Sequence, residues 1–329
     1  HIYHTMAMVC LDKKIRQKFL NWDISDSMDM RGLTIEDNVI DFAKKTLIYS
    51  NYELKYVEFM AHIYRFADET EKSTKMYEML YNKNPDVSLA SKLGESYRDK
   101  NNTEKSIYYY KKSIEQHSSV AGLLVPRFYD NYDEILKWRE NFYNNVNALI
   151  EKDLVIKHVI PLKVGFELSY TGHNNSEMLS KLGRVYSDKF PVLNYTAEHC
   201  KPENLRIGYK RSVERIKVGF ISTNFFNHSV SRDRMGVIRN LPRNIFDVYT
   251  YFYTNPIDEF GQFIWDCTNH RLLDSTLVNQ RQIIEDDKLD VLVYCYIGMD
   301  NRTYFLAYSR LAPVQITTWG HSDTSGIPT

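Results

Sequence analysis

Two periodicities divide the chain. Up to about residue 152 the apolar residues recur at helical spacing, and Ile135, Trp138, Phe142, Val146 and Ile150 mark one amphipathic helix predicted over 130–152. From Arg215 the pattern changes to short apolar runs at 216–221, 248–253, 272–273, 291–294 and 314–317, which read as strands. Helical segments are predicted between them, around 231–240, 258–267, 277–286 and 303–311. Strands alternating with helices imply a parallel, doubly wound sheet. Its ligand-facing loops follow the carboxyl ends of the strands, at 222–231, 254–258, 295–302 and 319–326. The fold class expected is thus α followed by α/β, with a helical half preceding a Rossmann-like parallel sheet.

The helical half carries an internal repeat. Thr70-Glu71-Lys72-Ser73 returns 33 residues later as Thr103-Glu104-Lys105-Ser106, and in the same register Tyr64-Arg65 matches Tyr97-Arg98, Tyr77 matches Tyr110 and Val87 matches Val120. Small residues, Ala61 and Gly94, precede each of the first tyrosines by three, as required where two helices approach closely. Pro85 closes the first unit. The pattern resembles the tetratricopeptide repeat, two antiparallel helices with a period of about 34. Two such units cannot bury their faces alone, so residues 1–50 are expected to add a helical pair and 121–159 to cover the other end. The expected domains are helical repeats at 1–125, clearest at 54–120, a helical connector at 126–213 and a Rossmann-like half-domain at 214–329. Within the connector, the polar stretch 199–213 reads as a linker or an excursion.

Composition narrows the function. Lysine plus arginine equals aspartate plus glutamate at 42 each, so no net field draws the chain to nucleic acid or to an anionic membrane. No apolar run reaches the roughly 20 residues of a membrane span. The four cysteines, Cys10, Cys200, Cys267 and Cys295, are scattered and without zinc spacing, as expected of reduced thiols in a cytoplasmic protein.

Candidate chemistry gathers in two of the strand-end loops. The loop after the first strand, 222–231, is not a GxGxxG turn; it sets His228 among Asn227, Ser229 and Ser231. A histidine at the mouth of a sheet can act as a general base or bond a sugar hydroxyl. It can equally cap the following helix. The last strand runs into Gly320, His321, Thr324 and Ser325, a turn of small and polar groups where ligands approach parallel sheets.

On these residues a resemblance becomes specific. Val218-Gly219-Phe220-Ile221-Ser222 with Asn227-His228, Ile297-Gly298-Met299-Asp300 with Thr303-Tyr304-Phe305-Leu306-Ala307, and Arg310-Leu311-Ala312-Pro313-Val314-Gln315 running into Trp319-Gly320-His321 and Thr324-Ser325-Gly326-Ile327-Pro328 are similar to the N-terminal Rossmann half of the SPINDLY/O-linked N-acetylglucosamine transferase family. Upstream, 166–175 resembles that family's linker. The resemblance implies a GT-B glycosyltransferase that moves N-acetylglucosamine or another hexose, with inversion, from a UDP-sugar to Ser/Thr or Asn side chains. It implies no metal or other cofactor beyond the UDP-sugar substrate, and a protein or peptide acceptor held by the repeats. His228 matches the family's pocket histidine, with Asn227 before it, and Gly320, His321, Thr324 and Ser325 match the turn that approaches the donor. Asn224 stands where many members carry aspartate. A second Rossmann domain is implied beyond Thr329, so these 329 residues alone are expected to bind UDP-sugars weakly and to transfer none. The alternative reading is a non-catalytic repeat scaffold with a degenerate transferase half that binds a protein partner.

Overall fold

A computed structural model describes residues 37–113, 120–156, 165–204, 215–274 and 276–328. The chain divides into two compact units, His1–Trp138 and Arg139–Thr329. The stretch 139–204 therefore packs with the sheet rather than standing apart from it. Among the described residues no helix is long and apolar enough to cross a membrane.

The first unit is a series of helices: α1 (Asp37–Tyr49), α2 (Leu54–Phe66), α3 (Thr70–Lys83), α4 (Val87–Asp99) and α5 (Thr103–Ser113). The 33-residue register holds at the level of single hydrogen bonds. Ser73 Oγ donates to the Ala61 carbonyl at 2.9 Å, and Ser106 Oγ donates to the Gly94 carbonyl at 2.7 Å. A Cβ on Gly94 would lie 2.8 Å from the Tyr110 ring, which is why the position is small. Tyr77 and Tyr110 are both buried. The turns repeat as well. Asp68 and Asn101, again 33 apart, adopt left-handed φ of 59° and 54°. Glu69 N–H reaches the Tyr64 carbonyl at 2.8 Å and Asn102 N–H the Tyr97 carbonyl at 2.9 Å. Helices α2 and α4 thus each end in a Schellman-type turn, and Asp or Asn tolerates the left-handed conformation that it needs. One expected equivalence fails: Val87 is exposed at the start of α4, whereas Val120 is buried. The helical pair expected in 1–50 is described only as α1, since 1–36 lies outside the described residues.

The next helix, α6 (Tyr132–Glu151), begins in the first unit and ends in the second, where it buries Phe142, Val146 and Leu149. The stripe leans one position from the expected one, and Ile150 is exposed because Leu149 completes the i, i+3, i+4 face. A 3₁₀ turn (Phe166–Thr171) leads to α7 (Ser176–Lys189). Five parallel strands follow: β2 (Ile216–Ile221), β3 (Phe246–Phe252), β4 (Asn269–Leu272), β5 (Val291–Tyr294) and β7 (Val314–Thr317), ordered β4-β3-β2-β5-β7. Strands β1 (Tyr195–Thr196) and β6 (Ser309–Arg310) form a separate parallel pair. The connecting helices are α8 (Ser229–Asn240), α9 (Glu259–Asp266), α10 (Leu277–Asp287) and α11 (Asn301–Leu306). Tetratricopeptide-like repeats and a Rossmann-like parallel sheet are thus both present.

Two sequence expectations need correcting here. The helix expected over 303–311 stops at Leu306, because Ser309 and Arg310 turn to pair with β1 and the Arg310 carbonyl accepts from Ala197 N–H at 2.9 Å. A tertiary partner overrides local helix propensity there. The stretch 199–213, read as a linker or an excursion, is no bare linker at its start, which is the 3₁₀ turn Glu198–Cys200 with Cys200 buried, while 205–213 lies outside the described residues. Cys10 lies outside them too; Cys200, Cys267 and Cys295 are free thiols.

Candidate functional site

The strand order reverses at β2, whose neighbours are β3 on one side and β5 on the other. The loops leaving β2 and β5 at this switch point diverge, and the crevice between them is where doubly wound sheets bind ligands. Thr223 and Tyr296 join the two loops by a short hydroxyl–hydroxyl bond, and Thr223 N–H reaches the same phenol oxygen at 3.2 Å. Asp300 accepts from Thr223 Oγ1 at 3.2 Å and, as the cap of α11, from Thr303 N–H at 2.9 Å. Burial, reinforced by Asp300, pushes the Tyr296 phenol well above its ordinary range, so it stays a neutral hydrogen-bonding group.

His228 occupies the N-cap of α8, and its Nδ1 accepts from Val230 N–H at 3.2 Å. A neutral ring accepting at Nδ1 carries its proton on Nε2. In that tautomer Nε2 donates a hydrogen bond and cannot take up a proton. The cap thus suits His228 to orienting an electron-rich oxygen more than to serving as a base. Asn227 is exposed; its N–H bonds Asp258 Oδ2 at 2.5 Å and its side-chain oxygen accepts from Arg232 Nε and Nη2 at 3.1 and 2.7 Å. Asp258 also caps α9 through Gly261 N–H at 2.9 Å, so one carboxylate fixes the tip of the His228 loop. Ser231 is fully buried and donates to the Asn224 carbonyl at 2.5 Å. Its hydroxyl closes the loop from inside and is not presented to a ligand.

The turn after β7 is held elsewhere. Gly320 passes so close to β5 that a Cβ would lie 2.6 Å from the Cys295 carbonyl oxygen. The His321 ring packs over Gly298, which has φ +103°, and lies 5.1 Å from the Phe166 ring. Burial lowers the His321 pKa, with Asp323 opposing, which favours a neutral imidazole. Asp323 accepts from Ser169 Oγ at 2.9 Å and Asn175 Nδ2 at 2.8 Å, tying the turn to the 166–175 segment. Arg139 bonds Thr171 Oγ1 at 2.8 Å and also Asn175. Thr324 Oγ1 and Ser325 Oγ accept from Gly326 and Ile327 N–H at 3.3 Å each, and Gly326 lies on the backbone of α7 at Leu179 and Gly183. The structure therefore places His228, Asn227 and Ser231 on one loop, His321 against Gly298 and the 3₁₀ turn, and Thr324 and Ser325 in the turn just before Gly326, with Thr324 exposed.

Asp258 and Asp323 are the organising residues that sequence reasoning missed. Asp258 alone left a signal, an acidic residue directly before a helical run. Among the described residues, no group of three or more His, Cys, Asp or Glu is placed to hold a metal ion. An open groove of about 460 Å³ lies away from the crevice, beside β1 and β6, and includes Cys200 and Arg310. Burial raises that thiol to about 11, so it is a poor nucleophile.

No family model and no curated protein matches the chain. Among solved structures, a mutant O-GlcNAc transferase of Thermobaculum terrenum superposes with a TM-score of 0.54 at 14% identity, over 99% of this chain and 52% of that one. What the two share is the fold. The chain spans about half the length of that transferase.

Proposed function

We propose that the chain is part of a glycosyltransferase that moves a hexose, N-acetylglucosamine or another, from a UDP-sugar to protein Ser/Thr or Asn side chains, in the cytoplasm and without a metal. The observation that carries this reading is the combination of helical repeats with a parallel sheet whose switch-point loop presents His228, in a fold shared over 99% of the chain with an O-GlcNAc transferase. In this reading His228 donates from Nε2 to a substrate oxygen, with Asn227 and Asp258 fixing its loop, while Gly320 and His321 shape the neighbouring wall. Thr324 and Ser325 lie in the turn before Gly326, their hydroxyls accepting from Gly326 and Ile327 N–H, and in this reading they approach the donor. The repeats receive the acceptor: a groove of about 260 Å³ beside α2 and α4 presents Lys55, Glu58, Asp86 and Ser88. His62 and Lys92 hold the Glu58 carboxyl at about 2, so it stays ionised and paired with Lys92 at 2.6 Å, and the groove offers charges of both signs to a polar peptide.

The scaffold reading is favoured by one observation, the use of His228 Nδ1 as a helix cap. A transfer assay on the complete gene product, with radiolabelled UDP-N-acetylglucosamine or UDP-glucose and a protein acceptor, separates the two. Label entering protein in the wild type and falling in His228→Asn supports the transferase. Partner capture that requires residues 1–120, with no label transferred, supports the scaffold and sinks the enzyme.

A further inference from the structure

A buried cation stands beside the crevice without a use in the reading above. Arg234 on α8 is only 4% exposed, and its Nε and Nη2 have no hydrogen-bond acceptor among the described residues. Asp233 is paired with it, its Oδ2 3.0 Å from Nη2 but outside hydrogen-bond geometry and its side chain nearly half exposed. Beneath it lies Cys295, whose thiol burial pushes up to about 12, so no thiolate offsets the charge. What covers the guanidinium is the indole of Trp319, 4.0 Å from Cζ to the ring centroid. That indole is itself 73% exposed. Its backbone is pinned, since Gly320 lies against the Cys295 carbonyl, so the ring can turn aside while the chain stays in place.

Buried N–H groups without acceptors are costly and call for an explanation, an unseen ion among them. A cation–π contact from an exposed ring offsets part of that cost and is readily exchanged for a charged oxygen. We propose that Arg234 and Trp319 form an anion site in which a phosphate or diphosphate group takes the place of the indole on the guanidinium. The planar fork of arginine matches two phosphate oxygens at once, which a lysine at the same position would not. The site sits at the carboxyl ends of β5 and β7, on the same rim as the candidate crevice. It requires no sugar transfer and stands apart from that reading.

The test is calorimetry on the 329-residue chain, with inorganic pyrophosphate as the probe in low-salt buffer. Wild type is expected to bind one pyrophosphate weakly. Trp319→Ala, an exposed position that tolerates truncation, is expected to bind roughly 2- to 30-fold more tightly, the range spanned by losing one competing cation–π contact. Adventitious binding at surface lysines would be indifferent to that change, so equal affinity in the two proteins overturns the proposal. Arg234→Gln should abolish the site, and Arg234→Lys, which keeps the charge if the glutamine variant fails to fold, should weaken it several-fold. A folded variant of either kind that binds as wild type does overturns it too, as does the absence of saturable binding in both wild type and Trp319→Ala up to about 10 mM. Displacement of pyrophosphate by UDP marks a nucleotide as the natural source of the group, and failure of UDP to compete restricts the site to inorganic anions. Displacement by uridine, which has no phosphate, overturns it.

Discussion

The helical unit and the sheet unit use polar residues in opposite ways. In the helical unit they repeat with the fold: Ser73 and Ser106 stitch helix to helix, and Asp68 and Asn101 close equivalent turns. Each is explained by an interaction within about a dozen residues of sequence. In the sheet unit polar residues from distant segments meet at one end of the strands, as with Ser169 and Asp323 or Thr223 and Asp300. There the buried Arg234 keeps donors without acceptors. Repetition yields polar groups satisfied close by in sequence, whereas convergence brings together partners from far along the chain.

The largest test of this contrast is Tyr77→Ala. The ring is fully buried and bonded to His62 Nδ1 at 3.1 Å, so truncation should cost about 3–5 kcal/mol. Amide exchange should accelerate in α2–α5 and leave the β2–β7 amides unchanged; acceleration in both would show that the units do not unfold separately. In the sheet unit Gly326→Ala should cost about 1–3 kcal/mol. The position has φ +69°, and an added Cβ would lie 2.0 Å from the Leu179 carbonyl oxygen. Exchange in α7 reads the effect, and an unaltered α7 would mean that the terminal turn is not held there.

His228→Asn tests the convergent side more finely. Asparagine is as good an N-cap as histidine or better, so the melting temperature should hold. Turnover of the complete protein should fall about 10- to 100-fold, the worth of one hydrogen bond to a charged group. A fall of about 10²–10⁴ together with a shifted pH profile would instead assign proton transfer to the ring. Unchanged turnover would remove His228 from the site.

The smallest effect expected is on pH dependence. Burial lowers the pKa of His62 in one unit and of His321 in the other. Each favours the neutral ring, so its contribution is complete above the ordinary histidine value of about 6.5 and is lost as pH falls below it towards the folded pKa. Both units should therefore weaken between pH 7 and pH 5 in urea titrations. His321→Gln should flatten the slope of the sheet unit only, and an unchanged slope would show that other groups set it.

The elements were legible in sequence wherever short-range pattern decides. The 33-residue register followed from identities repeated at that interval, and the β2, β5 and β7 boundaries and the parallel alternation from short apolar runs between helical segments, because a strand buried on both faces is apolar along its length. His228 as either cap or ligand was also legible, since a polar residue between a strand and a helix has few other roles. Tertiary structure alone decided the rest. It ended α11 at Leu306 because β1 offered Ser309 and Arg310 a partner more than a hundred residues away in sequence. It drew Ser231 into the loop's interior, laid Gly326 on α7, and slid Arg234 beneath Trp319. None of these leaves a local trace, because each depends on which distant backbone or side chain arrives beside it once the sheet is formed.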